Sequence, residues 1–183
     1  MKVSKIIDNP WSVGMVRAEK AGQTLADAIS RHKFQGERSV SLVGYGLAAR
    51  AIYTCLMALA ERRLFGLIDS VVIMGAPVPS ESRVWLTLKS VVSGRLVNVY
   101  SERDYLLGFL NRFSNTHFGI AGLQEVQGAD GVENLDVGEL AHGHMGYASA
   151  TGRILKEIGW DDLDSNAVRN EKPFQPGPVA RRR

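Results

Sequence analysis

The sequence predicts an α/β protein, with three or four parallel strands and helices on both faces. Three observations carry this. Val40 to Val43, Val71 to Met74 and Leu96 to Tyr100 are short runs rich in β-branched residues, separated by helix-length intervals. Val71-Val72-Ile73-Met74 is apolar at every position, as in a strand covered on both sides. Val40 to Val43 turns through Gly44-Tyr45-Gly46 directly into a helical pattern carried by Leu47, Ala51, Leu56, Leu59 and Ala60.

Taken in order, Asn9-Pro10-Trp11-Ser12 reads as a turn and helix start. Ser12 is the expected cap, and Val16, Ala21, Leu25, Ala28 and Ile29 lie near one face of a helix reaching Arg31. Gln35-Gly36-Glu37 is a loop. The second helix ends near Arg62-Arg63, where positive charge complements its dipole. Gly66 to Asp69 connects it to the next strand, which Gly75-Ala76-Pro77-Val78-Pro79 stops. A short helix follows from Glu81 to Val91. Ser101-Glu102-Arg103-Asp104 follows the third strand, and Val126 with its neighbours is a weak fourth. Ala141-His142-Gly143-His144 is a loop, and Tyr147 to Ile158 the last helix. Residues 161–183 hold few apolar residues, three prolines and mixed charge, which reads as a disordered tail behind one domain over residues 1–160.

At 183 residues and 45% hydrophobic, the chain is large enough to bury a full core. Its net charge is only +3, and three of its arginines are the last three residues, which argues against nucleic acid as a partner. Cys55 is the only cysteine, so no intrachain disulfide forms, and its helical setting reads as core. Lys2 and Lys5 lead into Ile6-Ile7 and then Asp8, Asn9 and Pro10, which is no signal peptide. The most apolar stretch, Val40 to Ala60, carries Arg50 and two turn glycines, so no membrane span is expected. A cytoplasmic or peripheral chain is the expectation.

A strand that turns on glycines into a helix is where α/β proteins place phosphates or nucleophiles. Two chemistries compete for this one. Gly44, Gly46 and Ala49 match a dinucleotide fingerprint, but that site also needs an acidic residue at the end of the next strand. That strand ends Met74-Gly75-Ala76-Pro77, and Asp69 lies before it, at the wrong end of the sheet. The rival is a nucleophile elbow of the G-x-S-x-G type with Gly46 in the serine position. Its partners follow in the order nucleophile, acid, histidine. Asp104 after the third strand and His144 in a late, glycine-flanked loop fit that order and placement. Each has a simpler reading. Asp104 precedes Tyr105-Leu106-Leu107 and reads equally as a helix N-cap, and His144 as a surface loop histidine. His142 is its rival for the histidine position; His32 and His117 lack such a setting. The sequence holds no zinc-spaced Cys/His cluster, no run of calcium ligands and no P-loop, so no cofactor is expected.

Ile7-Asp8-Asn9-Pro10-Trp11-Ser12, Val43-Gly44-Tyr45, Val72-Ile73-Met74-Gly75-Ala76-Pro77-Val78, Ser90-Val91-Val92-Ser93-Gly94-Arg95 and Glu133-Asn134-Leu135-Asp136-Val137 together resemble the domain-of-unknown-function 726 family. Its animal members are called transmembrane and coiled-coil domain proteins. The resemblance covers roughly residues 6–159. It implies a partial α/β-hydrolase fold, the C-terminal half of one, in a family whose members usually carry membrane-spanning segments upstream. The family elbow G-Y-S-L-G-A-R aligns with Gly44-Tyr45-Gly46-Leu47-Ala48-Ala49-Arg50. The serine then falls on Gly46, the acid on Asp104 and the histidine on His144, with Leu47 N–H as one oxyanion donor. Gly46 has no side-chain oxygen, so acyl-enzyme chemistry there is impossible. The resemblance also implies that earlier strands and the second oxyanion donor are absent from this chain. The expectation is therefore a hydrolase-like pseudoenzyme, binding module or truncated gene product. The alternative is an esterase or lipase-type hydrolase in which Asp104 and His144 activate water. The strand Val40–Val43 is expected to be an unprotected edge, open to a protein partner or a second copy. Membrane association is expected from the resemblance alone.

Overall fold

The computed structural model describes residues 10–31, 38–112, 119–141, 143–160, 163–164, 166 and 168. Its elements in order are α1 (Pro10–Ser30), β1 (Val40–Tyr45), α2 (Gly46–Glu61), β2 (Ile68–Met74), α3 (Ser82–Ser90), β3 (Leu96–Tyr100), α4 (Tyr105–Arg112), β4 (Val132–Asp136), a 3₁₀ turn (His144–Gly146) and α5 (Tyr147–Glu157). The four strands form one parallel sheet in the order β1-β2-β3-β4, with Val72 opposite both Val43 and Val97. The predicted α/β class and parallel sheet are found. The expected tail over residues 161–183 lies almost wholly outside the described residues.

Alternation along the central strands divides the core into two layers. Val71 and Ile73 face α2 and α3, where Leu56, Leu59, Trp85 and Leu88 are fully buried. Val72 and Met74, with Val97 and Val99, face Tyr147, Ala150 and Ile154 of α5. Both faces of β2 and β3 are thus covered, which explains the unbroken apolar run Val71–Met74 of β2, while β3 buries Asn98 among its apolar residues. The α5 layer does not extend over β1. Val43 and Tyr45 on that side are 40% and 41% exposed, while Leu42 packs into the opposite layer.

Three sequence expectations need correction. Helix α1 begins at Pro10, so Ser12 lies inside it rather than capping it; proline's fixed φ and missing N–H suit a first turn. Its buried stripe is Ala18, Gly22, Ala26 and Ile29, while Val16 is half exposed and Ala21 exposed. The reason is close helix–helix approach. A Cβ on Gly22 would stand 2.4 Å from the Ala51 carbonyl oxygen of α2, so smallness selects this face over hydrophobicity. The fourth strand is Val132–Asp136, not the segment around Val126. Val126 is bound alongside it: its N–H donates to Asn134 Oδ1 at 2.9 Å and its carbonyl accepts from Asn134 Nδ2 at 3.0 Å. Asn98 on β3, opposite Asn134, donates Nδ2 to the same Oδ1 at 3.1 Å, which anchors the register of a polar edge strand.

Cys55 is fully buried under α1, and burial pushes its thiol up to about 12. The neutral thiol is unreactive. A maleimide or disulfide reagent at mildly alkaline pH should leave the folded protein unlabelled and modify it once denaturant is added. Labelling of the native protein at a free-thiol rate would contradict the tight α1–α2 contact.

Candidate functional site

Three strand ends converge at the C-terminal edge of the sheet, where an α/β architecture gathers distant loops. Strand β1 runs extended through Tyr45, with φ −127° and ψ 156°, and α2 starts at once on Gly46. The reversal is concentrated in Gly46, whose φ of +54° is a region L-residues rarely adopt. Leu47 follows in the first turn of α2, where a backbone N–H has no helical carbonyl to bond.

Asp104 lies four residues beyond β3, at the end of a tight turn in which its N–H donates to the Ser101 carbonyl at 3.1 Å. Its carboxylate is almost fully buried and both oxygens are used. Oδ1 accepts the Leu107 N–H at 3.0 Å, which caps α4. Oδ2 pairs with His144 Nδ1 at 2.7 Å. Asp104 thus caps α4 with one oxygen and holds the imidazole of His144 with the other.

His144 follows Gly143, which turns the chain at φ +74° into the 3₁₀ turn. The imidazole is nearly enclosed, 12% exposed, and Tyr147 packs edge-on against it with ring centroids 6.1 Å apart. A carboxylate on Nδ1 favours the tautomer with its proton there and leaves Nε2 as an acceptor. Nε2 faces Gly46: a Cβ added at Gly46 would lie 2.9 Å from Nε2 and 3.4 Å from Cε1. Gly46, His144 and Asp104, far apart in sequence, thus meet in a line, with the imidazole between the Cβ position of Gly46 and the Asp104 carboxylate. His142, His32 and His117 lie outside the described residues.

The sequence reading missed two supporting residues. Tyr147 is fully buried, and its ring occupies the space where a side chain on Gly75 would sit, with Cε2 2.6 Å from that Cβ position. Burial, then the carboxylates of Asp104 and Asp136, push its phenol pKa upward, so it stays protonated. Tyr147 holds His144 from below; the signal was a bulky aromatic three residues after the histidine. Arg50, one turn into α2, donates Nη1 to the Pro77 carbonyl at 2.9 Å and pairs Nη2 with Glu19 at 2.6 Å, its guanidinium lying over the Tyr53 ring. It fixes the segment after β2 to both helices, and an arginine in an otherwise apolar helix was the visible sign.

The dinucleotide alternative finds no acid here. Asp69 is the second residue of β2, at the opposite edge of the sheet, and accepts a hydrogen bond from Ser41 Oγ at 3.3 Å. Ser101, next to the acid turn, is buried and its Oγ accepts the Arg103 N–H at 3.2 Å. Among the described residues no three His, Cys, Asp or Glu side chains come together as a metal site.

The chain is similar to larger proteins. It is 40% identical over 94% of its length to an uncharacterized membrane protein of Schizosaccharomyces pombe, of which it covers 31%. It is 36% identical over its whole length to "Probable lipase MIL1" of Saccharomyces cerevisiae, covering 17% of that protein. With "Transmembrane and coiled-coil domain-containing protein STS1" of Oryza sativa it shares 42% identity over 86% of its length, covering 24% of the rice protein. The chain therefore spans less than a third of the length of these relatives. No solved structure matches it. No helix among the described residues is long and apolar enough to cross a membrane. The model of the family described as "Protein of unknown function (DUF726)" matches residues 1–161, nearly all of the described fold, and the chain belongs to that family.

Proposed function

We propose that the chain is a hydrolase-like domain of the α/β-hydrolase kind, membrane-associated as its relatives' names suggest, with the serine-hydrolase step lost. The observation that supports this is the 2.9 Å between His144 Nε2 and the Cβ position of Gly46. An imidazole held by a buried carboxylate is the base of a nucleophilic triad. Here it is aimed at a residue that has no oxygen to deprotonate. No acyl-enzyme can form at Gly46, and the domain acts as a binding module or pseudoenzyme. Leu47 N–H is then the remaining oxyanion donor of an unused site.

The expected result is no labelling by a fluorophosphonate probe, read by gel fluorescence against an active serine hydrolase. Ser41 lies at the far edge of the sheet and Ser101 is hydrogen-bonded and buried, so neither replaces the missing nucleophile. Robust labelling mapped to either serine would overturn the assignment.

A second reading is carried by the intact Asp104–His144 pair, which keeps its 2.7 Å bond although Gly46 cannot use it. In it, Nε2 takes a proton from water as the water attacks an ester carbonyl and returns it to the alkoxide as the ester C–O bond breaks, releasing acid and alcohol with no acyl-enzyme. Turnover of short-chain nitrophenyl esters that is lost in His144→Ala and in Asp104→Ala selects this reading. Absence of turnover selects the pseudoenzyme. The outer edge of β1 is proposed in either case as the place where a protein partner or second copy pairs.

A further inference from the structure

Helix α4 carries an apolar face at the mouth of the site. Tyr105 is 80% exposed, Leu106 43% and Phe109 59%, and Met145, on the turn packed against α4, is 58% exposed. Only Leu107 of this helix is fully buried, and its N–H donates to Asp104 Oδ1. Apolar side chains gathered this way on a surface mark a contact site. Three features select the kind of contact. Residues 105–112 contain no acidic side chain, and the only charge is Arg112 at the helix C-terminus. Tyr105, Phe109 and Arg112 follow one another at helical spacing on a single stripe, all exposed. A phenol, a phenyl ring and a terminal guanidinium in line match a bilayer interface, where aromatic rings sit at the headgroup level and arginine reaches phosphate.

We infer that the α4 face, Tyr105, Leu106 and Phe109 with Met145, lies on a lipid bilayer, with Arg112 toward anionic headgroups. The placement deepens the membrane association proposed above. Asp104 caps α4, and Met145 is the neighbour of His144, so lipid under this face brings acyl chains and ester groups to the mouth of the Asp104–His144 site. The site's ligand class is then a membrane lipid, whether bound or hydrolysed.

The test is flotation of the full 183-residue chain with phosphatidylcholine vesicles, with and without phosphatidylserine. Binding should occur, be stronger with phosphatidylserine, and fall about ten-fold or more in Leu106→Glu/Phe109→Glu, from the loss of two buried apolar side chains. Phe65→Glu is the control. Phe65 is 60% exposed but precedes β2 at the opposite edge of the sheet, and its replacement should leave binding unchanged. Leu106→Trp, which keeps the face apolar, should show fluorescence quenched by brominated lipid and guards against misfolding of the acidic variant. The inference is overturned if the wild type ignores both vesicles, if the acidic pair binds as well as wild type, or if Phe65→Glu loses binding equally. It is also overturned if the pair converts a sedimenting dimer to monomer with no effect on lipid, which would make the face a protein contact. Vesicle binding is read without ester turnover, so the surface can fail while the Asp104–His144 reading stands, and the reverse.

Discussion

Gly46→Ser is expected to lower the unfolding midpoint. Glycine takes φ +54° freely, whereas a residue with a Cβ pays about 1–3 kcal/mol for such a conformation. Against this, serine loses less chain freedom on folding, worth about 0.4–1 kcal/mol in its favour. The new Cβ adds a contact: it arrives 2.9 Å from His144 Nε2, so the ring must retreat. That ring is braced by Asp104 on one side and Tyr147 on the other, which makes the retreat costly. The net expectation is a loss of about 1–2 kcal/mol, a fall of roughly 2–8 °C for a domain of this size. The two causes separate in a double-mutant cycle with His144→Ala. Removing the ring relieves the contact but leaves the backbone strained, so the penalty of Gly46→Ser should shrink without vanishing. Thermal unfolding followed by circular dichroism measures all four proteins. A midpoint unchanged or raised by Gly46→Ser would show that this turn is not a strained elbow.

The purified chain is expected to sediment as dimers or larger species, joined through β1. Val40 donates its N–H to the Leu67 carbonyl at 2.9 Å, toward β2. Alternation along an extended strand then directs the Ser41 and Val43 groups to the outer edge, where no described strand pairs with them. Natural edges are blunted by lysine, proline or short length. Val40–Tyr45 holds six residues and neither blocking type, and beside it Val43 and Tyr45 are exposed on the face that α5 leaves uncovered. Pairing would satisfy the ladder and bury both side chains together. Val43→Lys places a charge on that face and edge without touching the β2 side, and should weaken association about ten-fold or more. Sedimentation velocity across a concentration series reads this directly. A wild-type monomer with a cooperative unfolding transition would show the edge to be covered.

What the sequence determined by itself was the part written in local pattern. The unbroken run Val71–Met74 required a strand covered on both sides, and β2 has both core layers against it. The passage from Val43 through Gly44 and Gly46 into an apolar helix required an abrupt strand–helix turn, and the chain order of Gly46, Asp104 and His144 announced one site. Only the tertiary structure decided what those residues touch. Asp104 looked like either a helix cap or an acid because sequence records a residue type, not two oxygens with separate partners; Oδ1 serves α4 and Oδ2 serves His144. The buried stripe of α1 could not be found from hydrophobicity, since close packing against α2 selects Gly22 and Ala18 for size. Strand β4 was missed because Glu133, Asn134 and Asp136 make it polar. Its place comes from the register of Asn134 opposite Asn98, a contact between residues distant in the chain. Tyr147 was visible in the sequence only as an aromatic three residues after His144: its role lies in the space that Gly75 leaves open, and that space exists only once the sheet and α5 have come together.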